Sequence, residues 1–175
     1  ILEYNSNIIF MKLIIIEGCD RLGKSSLIKG LCEHFDYDNI SIRHFGKPPS
    51  DMSPEEVLDF QFICFNKELT LFKHINIESL VDRYHYYPET MIWNRSHLGE
   101  YVYSQMFRKG DPQELKEKLL SFERSFKNEK VYLITLTSDP IFFHSRQQDG
   151  HSLSVTLDQK VKELELFKEA HEFSL

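Results

Sequence analysis

Short apolar runs alternate along the chain with longer segments whose apolar positions repeat at helical spacing. The first run, residues 12–17, is rich in β-branched side chains and ends at a glycine, which is typical of a buried parallel strand. Residues 24–35 predict the helix that follows, because their apolar side chains recur every three or four positions. Further strands are predicted at residues 39–45, 90–94 and 131–137.

The other helices are predicted at residues 54–73, with an irregular continuation towards Tyr84, and at residues 99–107, 112–126 and 157–173. The first of these has a strong start, because Ser53 can cap it, Pro54 stands at its first position and two glutamates follow. This order of elements predicts a three-layer α/β domain, in which a mainly parallel sheet is flanked by helices.

The length of 175 residues suits one such domain with a small lid. Met11-Lys12-Leu13 resembles a natural start, so we expect residues 1–10 to be an extension or a cloning remnant and residues 11–175 to form the domain. The polar, glycine-containing stretch after the fourth strand predicts a lid at about residues 143–156. A doubly wound domain of this kind normally carries one more strand, so we expect a C-terminal strand to be missing from this chain.

Composition excludes several classes of protein. Hydrophobic residues make up 41% of the chain, which rules out wholesale disorder. With 27 acidic and 21 basic residues the net charge is −6, so we expect no stable nucleic-acid binding. No apolar run approaches the roughly 20 residues of a membrane span, so no membrane partner is expected. The three cysteines lack metal-like spacing and favour a reduced, cytoplasmic location.

The most informative stretch lies between the first predicted strand and the first helix, and it reads Gly18, Cys19, Asp20, Arg21, Leu22, Gly23, Lys24, Ser25. It fits the pattern G-x-x-x-x-G-K-[ST] in the strand-to-helix context that this motif requires. The glycines let the backbone wrap a phosphate, so that N–H groups and the helix N-terminus face the anion. Lys24 would reach the β- and γ-phosphates and Ser25 would hold Mg²⁺, so the sequence predicts a doubly wound P-loop NTPase domain.

The P-loop alone does not separate kinases from GTPases and ATPases. A GTPase would carry Asn-Lys-x-Asp after a later strand to recognise guanine. Here Asn66-Lys67 is followed by Glu68-Leu69 and lies inside a predicted helix. The guanine-binding interpretation therefore fails.

Two motifs resemble those of the thymidylate kinase family. Residues 18–26, from Gly18 to Ser26 and preceded by Glu17, resemble the P-loop of the subgroup that carries an acid and an arginine inside the loop. Residues 94–104 read Asn-Arg-Ser-His-Leu-Gly-Glu-Tyr-Val-Tyr-Ser and are similar to the family's Asp-Arg-Tyr segment with its Ala-Tyr-Ser or Ala-Tyr-Gln helix. Arg95, Tyr103 and Ser104 match that pattern, and Asn94 departs from it.

Weaker matches extend the resemblance over roughly residues 13–170. Phe65-Asn66-Lys67 lies where the family has an aromatic-rich helix with Asn-Arg or Asp-Arg, and residues 156–170 resemble the helix after its lid. The sequence of residues 94–103 also resembles that of phage-encoded relatives. If the protein is viral, the expected cytoplasmic location is the cytoplasm of the host.

The resemblance implies an ATP-dependent nucleoside monophosphate kinase of nucleotide biosynthesis. Such an enzyme transfers the γ-phosphoryl group of Mg·ATP to a deoxynucleoside monophosphate and forms the diphosphate. Residues 18–26 would bind ATP, with Arg21 stabilising charge on the transferring group beside Lys24. Asp20 would accept a hydrogen bond from the 3′-hydroxyl of the acceptor sugar. Arg95 would pair with the acceptor phosphate, a task that suits its planar fork of donors.

Other implied roles come with alternatives. Asn94 stands where the family has an aspartate near Mg²⁺, and an amide is a weaker, neutral ligand. Lys67 stands where an arginine would clamp the acceptor phosphate, and it keeps the charge without the bidentate geometry. Phe62 and Phe65 stack on the acceptor base or simply pack in the core, and Tyr103 lines the same pocket or belongs to the core.

Arg146, in the predicted lid, would contact the ATP phosphates or lie in solvent. Asp82-Arg83-Tyr84 also has the residue types of the family's Asp-Arg-Tyr segment, but no β-rich run precedes it. We therefore place the functional motif at Asn94-Arg95. The expected partners are small-molecule nucleotides, with a homodimer left open.

Two other functions compete with the nucleotide kinase. The first is a kinase that acts on a hydroxyl of a modified base or of a polynucleotide, which would need a basic channel for DNA. The net charge of −6 argues against it. The second is a nucleotide-binding module without catalysis. Asn94 supports that interpretation, whereas Arg21, Lys24, Ser25 and Arg95 together oppose it.

Overall fold

The structure is a computed structural model that describes residues 11–35, 39–46, 48–49, 51–81, 88–127, 129–145 and 153–174. In these residues the strands are β1 (Lys12–Gly18), β2 (Ile40–His44), β3 (Thr90–Asn94) and β4 (Lys130–Leu136). The helices are α1 (Lys24–Phe35), α2 (Pro54–Val81), α3 (His97–Phe107), α4 (Pro112–Glu123), α5 (Pro140–Ser145) and α6 (Leu157–Phe173).

The strands form one parallel sheet in the order β2-β3-β1-β4, which confirms the predicted α/β class. In the register of β1, Ile16 lies opposite Asn94 of β3 and Gly18 lies opposite Leu136 of β4. Since the strands run in one direction, their carboxyl ends meet at one edge of the sheet. Ligands of open α/β sheets bind at this edge, and both the P-loop and the segment after β3 emerge there.

Alternate side chains of β1 pack into opposite layers of the core, as a strand covered on both faces requires. Ile14 and Ile16 contact the layer of α1, where Ile28 is buried. Leu13 and Ile15 belong to a second cluster with aromatic side chains of α2 and α4. The sheet thus lies between helices on its two faces.

Helix α2 starts at the predicted Ser53 cap, and the differences from prediction lie in the bounds of α2, α3 and α4. The backbone N–H of Ser53 donates to Glu56 Oε2 at 2.7 Å just before α2, and α2 then continues to Val81. The predicted helix 112–126 is α-helical only to Glu123 and ends in a short 3₁₀ turn, Arg124–Phe126. Helix α3 begins at His97, two residues before the predicted start.

Helix α5 was not predicted, because six residues are too few to show a helical period. Its start is fixed by Asp139, whose Oδ1 accepts a hydrogen bond from Ile141 N at 2.8 Å. Residues 1–10, Asp82-Arg83 and residues 146–152 of the predicted lid lie outside the described residues. Within the described part of the chain, no helix has the length and apolar character needed to cross a membrane.

Candidate active site

The P-loop connects the central strand β1 to α1, and its backbone requires glycine at its first position. Gly18 has φ +123°, in the region that L side chains rarely adopt. A Cβ atom there would lie 2.6 Å from the carbonyl oxygen of Leu136 on β4. Gly23 also has a positive φ, +93°, where the loop enters the helix. The loop therefore lies directly against the neighbouring strand.

Lys24 is folded into this loop. Its Nζ donates to the carbonyl oxygens of Gly18 and Cys19 at 2.6 and 2.7 Å and lies 3.9 Å from Asp20 Oδ1. Burial lowers the pKa of the ammonium group, while the nearby carboxylates of Asp20 and Glu17 act in the opposite direction. The arrangement places one buried cation at the N-terminus of α1, beside the N–H groups that would face a phosphate.

Arg95 joins the loop to the segment after β3. Its backbone N–H donates to the carbonyl oxygen of Ile16 at 2.9 Å, which extends the β1–β3 pairing by one residue. The backbone then turns into the left-handed region with φ +69°. This turn directs the guanidinium to Asp20, with which it forms an ion pair. The structure thus brings together the two motifs on which the sequence analysis relied.

Glu17 lies beneath both motifs and is 1% exposed. Its Oε1 accepts hydrogen bonds from the backbone N–H groups of Leu98 and Gly99, at 3.1 and 3.4 Å, in the first turn of α3. Burial raises the pKa of this carboxyl to about 7, although Lys24 and the backbone donors favour its charged form. No role for Glu17 is predicted from the sequence, in which its only signal is a charged residue at the end of an apolar strand.

A cleft opens between the P-loop and the segment after β3. Its charged end is formed by Glu17, Asp20 and Arg95. The remaining wall is largely aromatic or apolar, with a few polar groups, and includes Phe45, Gln61, Phe65, Glu100, Tyr103 and Leu153. The cleft therefore combines charged groups of both signs, including the guanidinium of Arg95, with a largely apolar wall that suits a flat ring.

Tyr103 connects this wall to α6. Its hydroxyl donates to Glu163 Oε1 at 2.8 Å, and burial together with Glu163 raises the pKa of the phenol well above its usual range. Glu163 and Lys160 are both fully buried on the face of α6 behind the P-loop, near Cys19. The same carboxylate and burial raise the pKa of the Cys19 thiol, which keeps it protonated. The burial of Lys160 and Glu163 was not predictable from the sequence, because charged residues in an amphipathic helix are usually exposed.

The structure brings some predicted acceptor residues to the cleft and places others elsewhere. Phe65 and Tyr103 line the cleft. Phe62 packs in the core against Phe122, with ring centroids 5.6 Å apart, and is not among the residues of the cleft wall. Lys67 is exposed and lines a neighbouring groove with Arg43. The predicted Arg146 contact and the competing Asp82-Arg83 motif fall outside the described residues.

The predicted magnesium ligands are Ser25 and Asn94. Ser25 is exposed in the first turn of α1, next to Ser26. The amide of Asn94 donates to His44 Nδ1 at 2.8 Å, and its Oδ1 is buried without a hydrogen-bond partner among the described residues. These oxygens fit Mg²⁺, which takes few protein ligands and completes its shell with phosphates and water. No group of three or more His, Cys, Asp or Glu in the described chain offers another metal site.

No model of a known protein family matches the sequence, and a search of curated proteins finds no match either. Among solved structures, the chain is similar to the YorR protein of Bacillus subtilis, which was crystallised with phosphorylated GDP. The TM-score is 0.56 at 17% identity, over 93% of this chain and 81% of that one. It is also similar to Polyphosphate Kinase 2 of Arthrobacter aurescens TC1, with a TM-score of 0.55 at 11% identity, over 94% of this chain and 57% of that one. These likenesses establish a shared fold.

Proposed function

We propose that this protein is an ATP-dependent nucleotide kinase that phosphorylates a deoxynucleoside monophosphate. The observation that carries the proposal is the ion pair between Asp20 of the P-loop and Arg95 after β3, at the charged end of the cleft. It supports the proposal because the P-loop, whose N–H groups suit a phosphate, and an arginine whose donors suit a second phosphate are in contact at one cleft. The fold shared with a polyphosphate kinase is consistent with phosphoryl transfer.

In this proposal, the P-loop N–H groups and Lys24 bind the ATP phosphates, and Ser25 with Asn94 Oδ1 holds Mg²⁺. When bound, the metal neutralises charge on the phosphates. Arg21 and Lys24 stabilise the charge that develops as an oxygen of the acceptor phosphate attacks the γ-phosphorus and ADP leaves. Arg95 holds the acceptor phosphate in line for this attack.

The rest of the cleft would hold the acceptor nucleoside. Asp20 accepts a hydrogen bond from the sugar 3′-hydroxyl, and Phe65 and Phe45 contact the flat faces of the base. All three cysteines are free thiols, in keeping with a reducing compartment, so we propose a cytoplasmic enzyme.

An acceptor screen with Mg·ATP tests the proposal, using each deoxynucleotide, each deoxynucleoside, and single- and double-stranded DNA. A pyrimidine deoxynucleoside monophosphate should outcompete every DNA oligomer. Lys24→Ala, the matched inactive variant, should lose about 10²–10³ in rate while it keeps its fold, because one preorganised cation is removed. Faster labelling of DNA would favour a polynucleotide kinase. ATP binding without transfer to any acceptor would favour a non-catalytic module.

A further inference from the structure

A chain of three buried side chains runs behind Arg95 and connects the cleft to the end of α4. Ser96 Oγ and His97 Nδ1 are 2.9 Å apart, and His97 Nε2 and Glu123 Oε1 are 2.9 Å apart. Ser96 is 3% exposed and His97 is fully buried. Ser96 belongs to the wall of the cleft, whereas His97 and Glu123 lie behind it. We call these three side chains the Ser96 relay.

The hydrogen bonds of the relay determine where its protons are. A carboxylate oxygen only accepts, so His97 Nε2 must carry the hydrogen that points to Glu123. The ring lies against Phe122 and Phe126, with centroids 5.2 and 5.9 Å away, and burial lowers the pKa of His97. A neutral ring with its hydrogen on Nε2 leaves Nδ1 as an acceptor. The hydrogen between Ser96 and His97 therefore belongs to Ser96.

This assignment restricts what Ser96 can offer to a ligand. A serine hydroxyl has one hydrogen, and here that hydrogen is engaged with His97 Nδ1. The oxygen of Ser96 is left with lone pairs only. A phosphate oxygen is also only an acceptor and gains nothing from that contact, whereas Arg95, the next residue, offers donors to a phosphate.

We propose that Ser96 is a specificity-determining residue, whose oxygen accepts a hydrogen bond from an uncharged donor of the acceptor nucleotide, an amino group of its base. His97 and Glu123 are positioning residues that hold Ser96 in this acceptor-only state. The inference rests on the proposed function, since it assigns a recognition role within the same cleft. Nucleotides that present a donor at this position are thereby preferred over analogues that lack it.

The tautomer of His97 is tested directly by ¹⁵N NMR of the imidazole nitrogens in the whole protein. The expected spectrum shows a protonated Nε2 and an unprotonated Nδ1 at neutral pH. A protonated Nδ1, in either the neutral or the charged ring, would make Ser96 a donor to the cleft and overturn the proposal. This measurement requires no substitution and no activity.

Ser96→Ala tests recognition with two matched pairs of nucleotides. One pair differs in the amino group of a pyrimidine base (dCMP against dUMP), and the other differs in the amino group of a purine base (dGMP against dIMP). In one of the two pairs, Ser96→Ala should reduce the preference for the nucleotide that carries the donor by about 5- to 30-fold, because one hydrogen bond is lost. The pair that responds identifies the donor. The control is Ser121→Ala on the exposed face of α4, which should keep both preferences.

Glu123→Gln separates a positioning role from a structural one. Glutamine can donate to His97 Nε2, so it should weaken the same preference as Ser96→Ala, through KM and with kcat within about twofold. Glu165→Gln, an exposed substitution on α6, should leave the preference unchanged. If both relay variants keep the parent preferences, Ser96 does not read the acceptor and the proposal is wrong.

Dissociation constants for the same nucleotide pairs keep this inference separate from the proposed function. If no nucleotide is phosphorylated, the proposed function fails. A donor preference in binding that Ser96→Ala removes would still support the relay, and binding without any such preference would overturn it.

Discussion

Replacing Glu17 by glutamine should change how the stability of the protein depends on pH. The substitution keeps the size of the side chain and an oxygen that can accept from Leu98 N or Gly99 N, but it removes the ionisable group. In the folded protein burial raises the pKa of Glu17 from 4.5 to about 7, whereas the unfolded chain should titrate near 4.5. Between these two values the folded state binds more protons than the unfolded state.

The sign of the effect follows from this difference in bound protons. The free energy of unfolding falls as pH rises from 4.5 towards 7, because the carboxyl must then ionise inside the protein. The stabilisation is present in full below pH 4.5 and is lost above about pH 7. At 1.36 kcal/mol per pKa unit, the shift corresponds to a change on the order of 3 kcal/mol.

Urea denaturation at about pH 5 and about pH 8 measures this change. The stability of the parent relative to Glu17→Gln should decrease by about 2–3 kcal/mol between the two conditions. Glu165→Gln, at an exposed position, should follow the parent at both pH values. If the free energies of unfolding of the parent and of Glu17→Gln change equally between the two pH values, Glu17 ionises normally. The conclusion that burial raises its pKa would then be refuted.

Two further predictions concern the charged end of the cleft and the P-loop backbone. Arg95→Ala should lower kcat/KM for the acceptor by a factor that corresponds to roughly 2–4 kcal/mol, with little change in ATP affinity. Steady-state kinetics measures both quantities, with the exposed substitution Arg124→Ala as the control. A normal acceptor KM and kcat in Arg95→Ala would contradict the assignment. Gly18→Ala should destabilise the fold by about 2 kcal/mol or more, because its Cβ would meet Leu136 O at 2.6 Å and its φ is +123°. Gly30→Ala, which lies inside α1 with open space around it, should instead stabilise the fold by about 0.5–1 kcal/mol. Denaturation curves of the parent and the two variants measure both effects. Equal effects of the two substitutions would contradict this account.

The sequence predicted those parts of the fold whose signals are local. The strand at Thr90–Asn94 and the helix at Leu157–Phe173 have the predicted bounds, since apolar runs and caps define them. The P-loop was predictable because its residues are consecutive and its chemistry depends on the backbone. A helix as short as α5 leaves no such pattern.

The parts that the sequence did not predict depend on pairs of residues that are distant along the chain. Glu17 and Leu98 are 81 positions apart, and no local sequence pattern around either residue predicts the contact. The same holds for His97 and Glu123, which are 26 positions apart. For Phe62 and Phe65, helical spacing gave two aromatic side chains near one face but did not determine which of them faces the cleft. Both rings pack against Phe122 of α4, and Phe65 is distinguished by its contact with Phe45 at the cleft wall, where the ring centroids are 4.8 Å apart.

The ion pair between Asp20 and Arg95 also has a consequence for binding entropy. A free arginine side chain loses about 2 kcal/mol of rotamer freedom when a ligand immobilises it. Here the contact with Asp20 restrains Arg95 during folding, and it occupies only part of a guanidinium that has five donors. A phosphate reaching the remaining donors meets a side chain that is already ordered. The loss of rotamer freedom therefore lowers the stability of the fold, and it subtracts less from the free energy of ligand binding.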